Sequence, residues 1–215
     1  MKKFAVILAG CGVYDGAEIQ EAVMALYAIK KNEAVYQIFA PNKMQHHVIN
    51  HITGKEMQEK RNILVESARI ARGQIHSLDH FKAEDFDALL LPGGFGVAKN
   101  LCTWAFDDYR CTVDPGVEKI IRSMHEAGKP IGAMCISPVI LARLFPGAVL
   151  TVGKDSDTEA SIRKMGGKPV ETTHGQVTID KNLNFFSTPC YMLDASITDI
   201  AEGADNIVKA MLKVL

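Results

Sequence analysis

A chain of 215 residues with 47% hydrophobic content can bury one α/β core without a second domain or a covalent staple. Its 24 Lys and Arg against 25 Asp and Glu give a net charge of −1 with no basic stripe interleaved with aromatics, which excludes nucleic acid as a main partner and points to small molecules or protein. Five cysteines (positions 11, 102, 111, 135 and 190) without a Cys-x-x-Cys pair fit neither a disulfide framework nor a zinc site, and no apolar run has the length of a signal peptide or membrane span, so a reducing, cytoplasmic setting is expected.

The first predicted strand is Phe4 to Ala9. Ala17 to Lys30 then carries Ile19, Ala22, Val23, Leu26 and Ile29 at helical spacing, a stripe fit to cover one sheet face. Val35 to Ala40 is the second strand, closed by Pro41. From Pro41 to Ser77 the pattern is polar and irregular, with one helix expected around Glu59 to Gly73, so residues 41–77 are expected to form an inserted excursion serving as a lid or interface. Ala88 to Leu91 is a third strand, ending in Pro92-Gly93-Gly94. Val117 to Ala127 is an amphipathic helix leading through Gly128 to an apolar strand before Cys135. Val149 to Val152, Val177 to Asp180 and Phe185 to Thr188 are short strands, and Asp199 to Leu215 is a closing helix with Ile200, Ala204, Ile207, Val208 and Met211 inward. The alternation predicts a doubly wound, mostly parallel α/β sheet sandwiched by helices, in one domain over 1–215.

In open parallel sheets ligands bind at the carboxyl ends of the strands, so three turns should share one crevice. The turn Gly10-Cys11-Gly12-Val13-Tyr14-Asp15-Gly16 has Asp15 where a dinucleotide fingerprint needs glycine, and no acidic residue closes the second strand; no nucleotide cofactor is expected. Pro92-Gly93-Gly94-Phe95-Gly96 lacks the Lys-Ser/Thr of a phosphate loop, but its glycines allow backbone N–H groups to approach a reacting oxygen. Ala133-Met134-Cys135-Ile136-Ser137-Pro138 runs from strand to helix with small residues two before and two after the cysteine, the demand of a nucleophile elbow; the helix behind it favours thiolate. A buried structural cysteine at a strand end has the same pattern.

Glu18 and Glu21 open the first helix. The macrodipole alone accounts for acidic residues there, yet either side chain is placed to reach a thiol on a neighbouring strand and shuttle its proton. An ionised carboxylate would raise the thiol pKa, so a low-pKa cysteine requires that carboxyl to hold a proton and donate a hydrogen bond. Cys11, one turn from the crevice, is either a small core residue or a thiol able to resolve a sulfenate on Cys135.

Gly16-Ala17-Glu18-Ile19-Gln20-Glu21, Leu91-Pro92-Gly93-Gly94-Phe95-Gly96 followed by Lys99-Asn100-Leu101, and the cysteine elbow resemble the ThiJ/PfpI superfamily, whose fold is shared with class I glutamine amidotransferases. The first glycine turn, Asn50-His51-Ile52-Thr53-Gly54, Arg61-Asn62, Ala68-Arg69-Ile70-Ala71-Arg72-Gly73 and Thr188-Pro189-Cys190-Tyr191-Met192-Leu193 are similar to its ElbB branch, described as glyoxalases and linked to isoprenoid biosynthesis. The resemblance implies a homodimer, Cys135 as nucleophile, Glu21 as the carboxyl hydrogen-bonded to it with Glu18 the weaker candidate, and the Gly93-Gly94 loop with the Ile136 amide as oxyanion hole. It further implies glutathione-independent, cofactor-independent conversion of glyoxal, a small dicarbonyl, to glycolate. Two alternatives stay open: a cysteine-based redox or electrophile sensor acting through a partner, and an amidotransferase-like subunit. The second is weakened because Ile136 occupies the place of a histidine often found directly after the cysteine, while His174 is expected on the surface turn of a hairpin. His46, His47 and His51 have no companion ligand at metal spacing, so surface roles are expected of them and no metal site.

Overall fold

Ala88–Leu91 and Ile131–Met134 are apolar or glycine throughout, a pattern that only cover on both sheet faces satisfies. In the computed structural model, which describes residues 1–215, they are adjacent strands in the interior of the sheet. In chain order the elements are β1 (Lys3–Ile7), α1 (Ile19–Lys31), β2 (Val35–Ala40), α2 (Ile63–Ile70), β3 (Ile75–Ser77), β4 (Ala88–Leu91), α3 (Trp104–Asp107), α4 (Pro115–Glu126), β5 (Ile131–Met134), α5 (Pro138–Leu144), β6 (Val149–Leu150), α6 (Ser156–Lys164), β7 (Lys168–Pro169), β8 (Thr178–Asp180), β9 (Phe185–Thr188) and α7 (Ile197–Leu212). The main sheet runs β3-β2-β1-β4-β5-β9-β8 and is parallel except where β8 pairs antiparallel to β9. Helices flank it, so the expected mostly parallel doubly wound sheet is the one observed.

Four predicted elements differ from the structure in instructive ways. The irregular stretch after Pro41 ends at Asn62, which caps α2; β3 then adds an edge strand of three residues, Ile-His-Ser, too short and too polar for alternation to mark. Residues Val149–Leu150 leave the main sheet and pair with β7. The hairpin expected around His174 is absent: the β8–β9 hairpin turns at residues 181–184, and 173–176 is a separate exposed turn. Finally, α1 is rotated relative to the predicted stripe. Ile19 and Val23 are exposed, and the buried face is Glu21, Ala22, Ala25, Leu26, Ala28 and Ile29.

The C-terminal end of α1 is clamped to α7. Asp205 accepts from Lys31 Nζ at 2.9 Å, Asn32 Nδ2 at 2.7 Å and Lys209 Nζ at 2.7 Å. Burial raises this carboxyl, but those donors outweigh it and hold its pKa at about 2. On the other side of that joint α7 buries Ile200, Ala204, Ile207, Val208 and Met211, as its sequence predicts. α1 is thereby held against the sheet along its length.

At the carboxyl edge the chain after Pro41 lies over the β1 turn. Ile49 N–H donates to Asp15 Oδ2 at 2.6 Å, and His46 N–H donates to Asn100 Oδ1 at 2.9 Å. Asn100 sits in a single π-helical turn, Val97–Leu101, and its Nδ2 donates to the carbonyls of Ala9 and Asp15, both at 2.9 Å. One buried amide thus ties three loops together. Asn100→Ala leaves those carbonyls and the His46 N–H without their partner, which is expected to cost roughly 2–4 kcal/mol. Thermal denaturation followed by circular dichroism measures it, and a midpoint within a degree of wild type would contradict this reading.

Candidate active site

The elbow is real and strained. Cys135 follows β5 with φ 60, the left-handed region that residues bearing a Cβ seldom adopt. Neighbouring strands hold it there: Cys135 N–H donates to Thr188 O at 3.0 Å, Ser137 N–H to Met134 O at 3.0 Å, and Ser137 Oγ to Pro92 O at 2.8 Å. α5 then starts with Pro138, whose missing N–H is not needed at that position.

Against this elbow lies the turn after β4, and its glycines are required by contact. A Cβ on Gly93 would stand 2.3 Å from Cys135 Cβ, 2.5 Å from Glu21 Oε2 and 2.8 Å from Cys135 Sγ. The same numbers show that the carboxylate oxygen and the sulfur converge on one small volume. Gly94 has φ 107, and a Cβ there would meet the Glu18 nitrogen at 2.2 Å. Glu18 N–H in turn donates to Gly93 O at 2.8 Å, so the start of α1 and the β4 turn are laced directly.

Glu21 is wholly buried. Its Oε2 accepts from Gly93 N–H at 3.0 Å and its Oε1 from Tyr191 N–H at 3.2 Å, and the carboxyl sits beside the Cys135 thiol. Burial raises its pKa to about 8; the charge of Glu18 adds to that rise, while the amide donors and the thiol oppose it. Glu21 therefore holds its proton at neutral pH. Cys135, 7% exposed, is also raised well above an ordinary thiol, first by burial and then by the Glu21 charge, while the N–H groups of Gly94 and Ile136 facing the sulfur pull it down only in part. The expectation of a resting thiolate is corrected accordingly: desolvation outweighs two amides.

The structure thus brings together Cys135, Glu21, Gly93, Gly94 and Ile136. Glu18 is placed elsewhere, as the N-cap of α1 accepting from Glu21 N–H at 2.6 Å, which orients the first helical turn. Cys11 is half-buried, its thiol raised by burial, with Glu66, Arg69 and Asp15 as its charged neighbours. His174 is exposed. His46 and His47 meet edge to face with ring centroids 4.4 Å apart, and His46 lies 4.1 Å from the Phe106 ring. His51 Nε2 accepts from Tyr14 N–H at 3.3 Å.

Sequence reasoning about the site missed the segment after β9. Thr188, Cys190 (φ 46) and Tyr191 all touch the elbow or its carboxyl, and Cys190 keeps its buried thiol beside the Cys135 backbone. The linear signals were Pro189 closing a short strand and the resemblance carried by residues 188–193, neither of which gave the segment a role; the contact depends on β9 lying next to β5, which no local pattern encodes.

Comparison with known proteins agrees with this fold. The model of the DJ-1/PfpI family matches residues 13–184. A human protein, "Glutamine amidotransferase-like class 1 domain-containing protein 3, mitochondrial", is 39% identical over 99% of this chain and 83% of its own length. The crystal structure of an isoprenoid biosynthesis protein with an amidotransferase-like domain from Ehrlichia chaffeensis superimposes with a TM-score of 0.92 at 38% identity, covering 99% of this chain and 100% of that one. Glyoxalase III from Candida albicans shares the fold, with a TM-score of 0.64 at 12% identity over 100% of this chain and 97% of that one. No helix is long and apolar enough to cross a membrane, and the mitochondrial name of the human relative does not support the cytoplasmic setting expected above.

Glu21 also gives the fold a pH dependence. Its folded pKa of about 8 lies above the ordinary 4.5, so the stability it contributes is complete below about 4.5 and is lost as pH rises through about 8. The loss is on the order of 4–5 kcal/mol. Urea midpoints of wild type should fall across that window, while Glu21→Gln, which cannot ionise, should remain nearly level; parallel curves for the two proteins would refute the assignment.

Proposed function

Because the chain belongs to the DJ-1/PfpI family, we propose that it is a cofactor-independent glyoxalase of the ElbB branch, converting glyoxal to glycolate without glutathione. The observation that carries this reading is the fully buried Glu21 carboxyl, set beside the Cys135 thiol at Gly93 while pinned by the amides of Gly93 and Tyr191. A proton donor and acceptor fixed against a nucleophile is what an internal redox of a dicarbonyl requires.

In this reading the reactive form is the one in which Glu21 is ionised: its carboxylate takes the Cys135 proton as Sγ adds to one aldehyde carbon and passes it to the oxygen of that carbon, giving a hemithioacetal. The Gly94 and Ile136 amides receive the negative charge that develops on the carbonyl oxygen. Glu21 then removes the hydrogen on that carbon as a proton, giving an enediolate, and returns a proton to the adjacent carbon. The first carbon ends as a thioester and the second as a primary alcohol. Water hydrolyses the thioester to glycolate and frees the thiol. The electron pair moves within the substrate, so no external oxidant or reductant enters. Glyoxal has few atoms to bind, so little binding energy is spent on orientation and turnover is slow.

Two features speak against glutaminase chemistry despite the name of the human relative. Ile136 follows the cysteine, and His174 is exposed on a turn whose neighbours are Glu202 and Asn206 of α7. A second reading, redox sensing, is favoured by the same amides and protonated carboxyl, which are equally suited to hold the oxygens of a sulfinate on Cys135.

Purified Cys135→Ala should lose all consumption of glyoxal, and Glu21→Gln should lower kcat by about 10²–10⁴-fold. Steady-state kinetics on glyoxal, methylglyoxal and glutamine decides: activity surviving in Cys135→Ala excludes the mechanism, and conversion of Cys135 to sulfinate by peroxide faster than turnover moves the assignment to sensing. With Glu21 titrating at about 8, wild-type kcat/KM should climb along a limb near that pH, and a profile flat between about 6 and about 9 would show that this pair does not control the rate.

A further inference from the structure

Away from the elbow, two of the remaining cysteines meet. Cys102 and Val113 form an isolated antiparallel bridge, flanked by Thr103 N–H donating to Thr112 O at 2.9 Å and Asp114 N–H donating to Leu101 O at 2.8 Å. That pattern makes 102 and 113 a non-hydrogen-bonded pair, in which facing residues approach most closely. Cys111, two before Val113, falls on the same face as Cys102 and diagonal to it. The short helix α3 and the turn after it close the excursion between them. Both side chains are buried, and each thiol shifts the ionisation of the other, so the two groups are neighbours. The Cys102 thiol donates to Val97 O at 3.4 Å.

We propose that Cys102 and Cys111 are a redox-active dithiol that a small hydroperoxide oxidises to an intramolecular disulfide, separate from the candidate active site. Three observations support it. The bridge register puts both cysteines on one face as diagonal neighbours, so the bond closes a short loop without bringing distant segments together. The two thiols are unequal: the neighbouring Cys102 and the Arg143 charge favour thiolate at Cys111 against burial and the Asp107 and Asp108 charges, while Cys111 and burial keep Cys102 protonated. Arg143 is fixed at this spot by donating from Nε to Cys111 O at 2.5 Å. And the cover is thin, because Phe106, Asp107, Asp108, Tyr109, Arg110 and Thr112 are all exposed and Asp108 is held at φ 50.

The chemistry balances in two steps. The Cys111 thiolate attacks one peroxide oxygen, the O–O bond breaks, and an alcohol or water leaves, with Cys111 as sulfenic acid. The Cys102 sulfur then attacks Cys111 Sγ, the S–O bond breaks, and the departing hydroxide takes the Cys102 proton as water. Two thiols are oxidised and one hydroperoxide is reduced by two electrons. A thiol reductant reverses it.

Peptide mapping of the full chain tests this. Native protein is treated with hydrogen peroxide or tert-butyl hydroperoxide, its remaining thiols are alkylated during denaturation, and it is digested without reduction. A peptide pair linked through Cys102 and Cys111, lighter by two hydrogens and released by dithiothreitol, is expected in wild type and equally in Cys135→Ala. Cys111→Ser should remove it and leave a lone thiol at Cys102. Wild-type protein in which both residues are alkylated while Cys135 is oxidised overturns the proposal, as does any linkage of either residue to a different cysteine; both readouts stand even where the serine variant fails to fold.

Discussion

A carboxylic acid sealed from water beside a thiol is the constraint around which this chain is arranged. Leaving Glu21 buried is unfavourable unless it stays protonated and its oxygens are matched by donors, and what surrounds it comes from three places far apart in sequence: amides from the β4 turn and from the segment after β9, and the sulfur of the elbow. Each of those segments is in turn tied to another. Glu18 grips Gly93, Ser137 grips Pro92, and Thr188 grips Cys135. The backbone strain at Cys135 is supported by this lattice of short contacts, which is why glycine is needed where the strands converge.

The position of Glu21 also explains where helical periodicity misled. A stripe read from α1 places Ile19 and Val23 inward, and hydrophobicity alone prefers that orientation. The helix instead turns a carboxylic acid to the core and two aliphatic side chains to the surface. A local rule is broken where chemistry is placed, whereas α7, which carries no part of the site, buries every residue that its pattern assigned.

Much of the fold was legible because βαβ alternation is a strong signal and because Gly and Pro mark the strand ends. β3, β7 and α6 escaped: the first two are three and two residues long, and α6 is polar, with Ser, Asp, Thr and Glu in its first turn. Within the site, Cys135, the two glycines and Glu21 could be read from spacing and resemblance, since each belongs to a turn with its own composition. The protonation states could not. They depend on how completely water is removed from the pair, a property of packing from all sides, and the reading from the helix dipole and amides gave the opposite sign for the sulfur. Tyr191 was illegible for a related reason, because it acts through its backbone N–H and its identity carries no message.

The anchoring of Cys135 N–H on Thr188 has a bearing on biosynthesis. The elbow leaves the ribosome some fifty residues ahead of the strand that receives it, and the amide that grips Glu21 comes later still. Until that last strand docks, a nascent chain holds a common cysteine in relaxed backbone, ionising near the value of any free thiol. The raised thiol pKa and the carboxyl paired with it are thus properties of the finished sheet, conferred once β9 is in place.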